Sequence, residues 1–355
     1  MLAPDQTVPE FTLPEFDVQA LARRAAPAAG LAAVAAGAVL LAGGHLHGLT
    51  DGLRRGLGVS PGWALLGVGL EGISLAGYVG LLSLVLGRTT PRVGTRESAQ
   101  ITLAGAAATR LFPTAGAGGL ALTLWALRRA GLRAQVAART LLVFLIVLYS
   151  VFLLSIVVSG AVLATGLVHG HGPTQLSAIP ALAGALVIAA CLAFASVSGA
   201  DAATDDAAEP ENGERRSRVR AGAGLVGGAV RDACRLVRSR DRRLLGAIAY
   251  WAFDAAVVWA MLHAFGSAPA LPVIALAYFV GQVANTLPLP GSVSAGTAGV
   301  LIAFGVSPEL AIPAVLAYRT VAVWLPVPLA LATVPSLRAT IARWGREDAT
   351  AAAPA

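Results

Sequence analysis

Eight apolar runs occupy most of this chain, at about 26–46, 61–86, 100–127, 137–168, 174–198, 244–265, 271–304 and 310–334. Several reach or exceed the roughly 20 residues that a helix needs to cross a bilayer. Hydrophobic residues make up 56% of the 355 and charged residues only 13%, well under the quarter expected of a soluble domain. An all-α polytopic membrane protein is therefore expected, because only helices and closed barrels satisfy their backbone in hydrocarbon. The basic surplus of +7 fits the positive-inside rule, so nucleic acid is not an expected partner. Cys191 and Cys234 lie far apart and form no CxxC or Cys/His spacing, which argues against a disulfide framework. The first run, preceded by no basic start, reads as a signal-anchor-like helix; a cleaved signal ending near Gly44 stays open.

Two runs pose a backbone problem. Residues 285–299, NTLPLPGSVSAGTAG, carry Pro288, Pro290 and Gly291 where a plain spanning helix would carry leucines, and LFPTAGAGG at 111–119 carries Pro113 and Gly116. Each proline removes a backbone donor, and lipid supplies no substitute. Arginine placement separates two solutions. The chain contains no lysine, so all 26 basic residues are arginines. If every run crosses the membrane, the better orientation puts sixteen arginines inside and eight outside. If 100–127 and 271–304 are re-entrant hairpins that return to their own side, twenty-two lie inside and only Arg54 and Arg55 outside. The positive-inside rule prefers the second arrangement. Kinked full spans remain the alternative.

The hairpin arrangement implies about six spanning helices and two re-entrant Pro/Gly hairpins in inverted repeats, 61–168 and 244–334. Both copies show Pro-x-x-Gly, then a Gly-aliphatic pair (Gly131-Leu132, Gly305-Val306), then Arg-Thr (Arg139-Thr140, Arg319-Thr320). Inverted repeats with broken helices are typical of alternating-access carriers. The expected organisation is a cytoplasmic segment at 1–26, a first membrane half at 27–198, a charged cytoplasmic linker at 199–243, a second membrane half at 244–338 and a cytoplasmic tail at 339–355. Within the linker, Leu225, Val226, Val230, Cys234, Val237 and Leu244 can share a helical face, which suits an interfacial helix. A plain basic run before a membrane helix explains it equally well.

Charged residues inside apolar runs usually face a bundle interior or a water-filled cavity. Glu71, Arg110, Asp254 and Arg319 are of this kind. One reading has Arg110 and Arg319 bind an anionic head group, with Glu71 or Asp254 balancing them when the site is empty. The other has static ion pairs, or snorkelling side chains, Arg110 above all. Asn285, Thr286, Ser292 and Thr297 add hydrogen-bonding groups around the second hairpin, for a head group or for carbonyls freed by the prolines. His45, His47, His169, His171 and His263 lack an acidic or cysteine partner at fixed spacing and read as interfacial loop residues, so no metal is expected. No enzyme signature is present, and no cofactor is expected.

The run NTLPLPGSVSAGTAG with FGVSPELAIPAVLAYRTVAVWLP, and the earlier ATRLFPTAGAGGLALTLWALRRAGL, resemble the lysylphosphatidylglycerol synthase transmembrane-region family, the flippase-like membrane part of the bacterial multiple peptide resistance factor. The resemblance spans roughly 27–338 and falls on Pro113, Gly116, Pro288, Pro290, Gly291 and Arg319. It implies a stand-alone flippase-like protein of the bacterial plasma membrane, with both termini cytoplasmic. The expected cargo is a phospholipid or polyprenyl-linked lipid. Partners implied are membrane lipids and a cell-envelope lipid or glycan enzyme. Where family members commonly carry Gly-Gly-x-Gly and an acid, this chain has Ser292 to Gly296 and then Thr297, a departure that leaves the family's usual substrate open here. The sequence also stops at 355 with no aminoacyl-transferase domain, and synthesis of lysyl-lipid is not expected. A secondary transporter of a soluble solute and a non-transporting partner of an envelope enzyme remain alternatives.

Overall fold

The computed structural model describes residues 60–111, 117–168, 172–204, 214–286, 291–324 and 326–351. The first apolar run and both Pro/Gly tips (Pro113, Gly116, Pro288, Pro290) lie outside them. Among the described residues there are eleven α-helices and no strand. In chain order they are α1 (Pro61–Gly87), α2 (Thr95–Leu111), α3 (Ala117–Arg129), α4 (Ala134–Ala164), α5 (Thr174–Thr204) and α6 (Glu214–Arg238). Then come α7 (Leu245–Phe265), α8 (Leu271–Val283), α9 (Ser292–Ala303), α10 (Pro308–Arg319) and α11 (Pro326–Ala351). Among the described residues four segments are long and apolar enough to cross a membrane, namely Pro61–Gly87, Ala134–Ala164, Thr174–Ser196 and Arg242–Phe265.

The broken runs behave differently. At 1.5 Å per residue the 13 residues of α8 and the 12 of α9 reach about 20 Å and 18 Å, short of the roughly 30 Å hydrocarbon core. Each run folds back on itself. In the second, Gly281 of α8 lies so close to Thr297 of α9 that a Cβ there would meet its backbone N at 2.8 Å. In the first, Gly105 of α2 passes Gly119 of α3 with room for a Cβ 3.6 Å from its carbonyl oxygen. Small residues allow these approaches where larger ones would hold the arms apart.

Contacts between loops fix which way each hairpin opens. Arg92, before α2, reaches Gly131, after α3, and the entry and exit of the first hairpin therefore share one end of the bundle. The same end gathers Arg88 with Asp241, Arg139 with Asp232, Arg92 with Asp348 and Arg343 with Glu97. Four basic segments far apart in sequence thus form one arginine-rich end. Asp241 and Asp348 titrate below the usual carboxylate range because Arg243 and Arg92 hydrogen-bond their charged forms. At the opposite end Gly266, before α8, packs on Leu310, just after α9, and Trp63 stacks near Trp259 and His263. The second hairpin consequently opens away from the first.

Helix packing is reciprocal. α1 and α7 pair along their lengths, α2 packs on α11, and α8 packs on α4. Each hairpin therefore rests on the long helix of the other half. α1 and α7 cross at glycines, where a Cβ on Gly77 would sit 2.7 Å from the Gly246 carbonyl oxygen.

Two elements differ from the sequence expectation. The run 310–334, expected as one span, is split by a π-turn at Thr320–Trp324. Pro326 lacks an N–H and crowds the carbonyl four residues earlier, and a widened turn relieves that clash. The helix at 214–238 does form, but its packing face is Ala229, Val230, Ala233 and Leu236 against α4 and α5, while Val226 and Val237 stay half exposed. The sequence expectation held Val230 of this face, but a search for large apolar residues passes over Ala229 and Ala233.

Single cysteines at Arg88 and Arg133, which flank the first hairpin, should label from one side of the membrane, and cysteines at Ser267 and Ser307, which flank the second, from the other. All four positions are exposed. A split within either pair would contradict the hairpin arrangement.

Candidate functional site

A cavity of about 440 Å³ lies between the two hairpins, walled by α1, α2, α3, α4, α7, α8 and the turn after α8. Its acidic walls are Glu71 from α1 and Asp254 from α7, which are 3% and 8% exposed. Tyr278 of α8 donates a 2.6 Å hydrogen bond to Asp254 Oδ2. Gln282, in the wall, donates from Nε2 to the Tyr318 hydroxyl at 3.2 Å and so ties α8 to α10. Ser74 donates to the Tyr250 carbonyl at 2.8 Å beside the α1–α7 crossing. Tyr78, Tyr149 and Tyr250 add aromatic walls, and Thr102, Thr123 and Asn285 add polar ones. Thr123 spends its proton on the Gly119 carbonyl.

Beside this cavity runs an apolar groove of about 640 Å³ between α4, α7 and α8. Leu154, Val158, Ile248 and Ile274 line it, and the hydroxyls it contains, Ser155 and Ser159, donate to carbonyls of their own helix. Cavity and groove share the Trp251 ring. Trp251 is held by a 2.8 Å hydrogen bond from Nε1 to the Leu148 carbonyl. Phe152 and Phe279 pack on it at 5.0 Å and 5.9 Å between ring centroids.

Of the residues expected from sequence, Glu71, Asp254 and Asn285 come together in the cavity. Arg319 ends α10, partly exposed, and is not among the cavity walls, although its neighbour Tyr318 bonds to Gln282. Thr297 is 1% exposed and packs the hairpin arms at Gly281; it does not line the cavity. Ser292 begins α9 behind Gly291, whose φ of 80° is a left-handed conformation that suits glycine. Arg110 and Thr286 fall in the last turn of α2 and in the short 3-10 turn after α8, their side chains outside those described. His263 donates from Nδ1 to the Trp259 carbonyl at 3.0 Å, as a satisfied interfacial ring does. Among the described residues no three of His, Cys, Asp and Glu cluster as a metal site would. Sequence reasoning missed Thr102, Gln282, Tyr278 and Trp251. The signal for two of them was the aromatic density of YWAFD and AYFVGQ around a buried acid.

The fold and site define a polytopic membrane protein with two opposed helical hairpins around a polar cavity. The family model for the lysylphosphatidylglycerol synthase TM region matches residues 19–330, and the chain belongs to that family. No curated protein matches the sequence.

Proposed function

We propose that the protein is a lipid translocase that moves a phospholipid or polyprenyl-linked lipid between leaflets by alternating access. One observation supports this reading: a cavity with polar walls and an apolar groove share Trp251 in their lining. A head group needs hydrogen-bonding walls and a lipid chain needs apolar ones, and a lipid brings both on one molecule. A soluble solute would have no use for the groove.

In this mechanism the head group enters the cavity between the hairpin tips while a chain rests in the groove. Asn285 and the hydroxyls around it hold the head group, and Arg110 and Arg319 match anionic charge along its path. Rocking of one half against the other, about the α1–α7 crossing, moves the opening from one side to the other. The halves are inverted repeats, the arginine-rich end faces the cytoplasm of a bacterial cell, and the membrane is its plasma membrane. No covalent chemistry is required. A cell-envelope enzyme that makes or uses the lipid is the natural partner.

The test is transbilayer movement of a fluorescent phospholipid in proteoliposomes, read by chemical quenching of the outer leaflet. The native protein should move lipid faster than empty vesicles. Asn285→Ala and Arg319→Ala should each slow it about tenfold, the equivalent of losing about 1.4 kcal/mol of head-group interaction. Unchanged rates in both variants would overturn the assignment of these residues.

A further inference from the structure

Two buried hydroxyls on α2 depart from the bonding of their counterparts in other helices. Thr123, Thr140 and Ser159 each donate to the carbonyl four residues earlier, which spends the hydroxyl proton inside the helix. Ser98 and Thr102 do not. They are 0% and 7% exposed, and neither hydroxyl oxygen has a hydrogen-bond partner among the described residues. A buried hydroxyl without a protein partner marks a place where water or a ligand completes the bonding. Thr102 lines the cavity.

Their placement on the helix gives the pair a direction. Residues three or four apart share a face, so Ser98 and Thr102 point the same way, and Gly105 continues that face for another turn. The far side of α2 is taken by α11, since Gln100 accepts from the Thr340 hydroxyl at 3.0 Å and Glu97 pairs with Arg343. The face with Ser98 therefore turns inward, toward α3 and the cavity, where Gly105 approaches Gly119 and Thr123. Ser98 is the fourth residue of α2, one turn from the arginine-rich end, while Thr102 and Gly105 line the cavity. Side chains at this spacing stand about 5–6 Å apart, and one water molecule at about 2.8 Å from each hydroxyl spans that gap.

We propose that this face of α2 is a water-filled passage from the arginine-rich end into the cavity, with Ser98 and Thr102 as its water-binding groups. Water held between the two hydroxyls replaces the carbonyl bonds that they forgo. Beyond Thr102 the passage runs beside Gly105 and Ala106, whose small size leaves room along the cavity wall. The polar groups of Thr123, Gln282 and Asn285 continue it inside the cavity. A polar group can then travel between that end and the cavity without crossing hydrocarbon. The passage stands on α2 itself, and the lipid reading names only what travels along it.

Cysteine labelling of the full-length protein in proteoliposomes tests the passage, in a background with Cys191 and Cys234 replaced by serine. Thiolate formation needs water. A small membrane-impermeant thiosulfonate should therefore modify Ser98→Cys and Thr102→Cys about tenfold or more faster than Ser83→Cys, a position as buried as Thr102 whose hydroxyl bonds to the Gly80 carbonyl. The reagent should act from the side that labels Arg133→Cys. Rates no higher than that of Ser83→Cys, or reaction from the opposite side alone, overturn the passage. Ser98→Leu, added to Thr102→Cys, should slow modification severalfold; an unchanged rate overturns the route along this face. The native protein gives a second reading that needs no variant. Hydroxyl radicals formed from bound water by radiolysis should oxidise the segment 98–102 well above the segment around Val257 and Val258, which are fully buried. Equal protection of the two segments overturns the passage. Neither experiment depends on cargo. If both give the expected result and no lipid moves, the passage stands and the lipid reading falls; if lipid moves and both fail, the passage falls and the lipid reading stands.

Discussion

Replacing Gly246 by alanine destabilises the protein, although the same change at an open helical position is worth about 0.5–1 kcal/mol in the opposite direction. Gly246 lies in the first turn of α7, where that helix crosses α1 backbone to backbone. A Cβ on Gly77 would stand 2.7 Å from the Gly246 carbonyl oxygen and 2.9 Å from the Tyr250 backbone N, and a Cβ on Gly246 would press closer still on Gly77. The obstructing atoms are backbone and cannot turn away as a side-chain tip would. Inserting a methyl therefore spreads the two halves, at an expected loss of about 1–3 kcal/mol. The neighbouring crossing bond from Ser74 to the Tyr250 carbonyl stretches with it. Gly80 on α1 is the internal reference, since nothing lies within 4 Å of its missing Cβ. Thermal unfolding in detergent should give Gly246→Ala a lower midpoint than native and Gly80→Ala an equal or higher one. Gly246→Leu should yield no monodisperse protein. A Gly246→Ala midpoint at or above native would show that α1 and α7 do not pack through this crossing.

That crossing also marks where sequence reading stops. The hairpins were legible because proline and glycine have no inexpensive place in a plain span, and because arginine placement is a global constraint that local pattern cannot imitate. The buried acids Glu71 and Asp254 were legible for a similar reason: a carboxylate in an apolar run needs an explanation wherever it occurs. Tertiary pairings were not. Glycine is common throughout this chain, so nothing in the sequence separates Gly77, which is pressed against a backbone, from Gly80, which faces open space. The packing face of α6 was hidden in the same way, since Ala229 and Ala233 carry it instead of the larger Val226 and Val237. Arg319 illustrates a further limit. Its place in an apolar run selected it, but position along a helix does not say which neighbour faces the cavity, and it is Tyr318 that bonds to the wall residue Gln282. Trp251 was passed over because an aromatic in a membrane helix needs no special account until two different spaces are found on either side of it.

Trp251→Ala joins those two spaces, and its effect should exceed that of any other single truncation in the cavity wall. The ring is 6% exposed and packs on Tyr250, Phe152 and Phe279 at centroid distances of 4.8, 5.0 and 5.9 Å. Truncating a buried tryptophan to alanine typically costs about 3–5 kcal/mol, and the Leu148 carbonyl loses its donor as well. Trp251→Phe keeps an aromatic wall while removing the N–H, at about 1 kcal/mol, together with part of the buried ring volume. The functional consequence follows from the wall itself. In the translocase proposed above, an intact ring would confine a head group to the polar side and a chain to the apolar side, so that cargo would be chosen by the fit of its head group. With the ring gone, chain carbons can fill the polar cavity and water can reach the groove, so discrimination between head groups should collapse. Translocation of fluorescent lipids that share chains and differ in head group gives the measurement. Trp251→Phe should preserve the native ranking of rates, while Trp251→Ala should level it even at temperatures where the variant remains folded. Equal discrimination in both variants would mean that the ring serves packing only, and the site that selects the cargo would have to be sought away from the junction of cavity and groove.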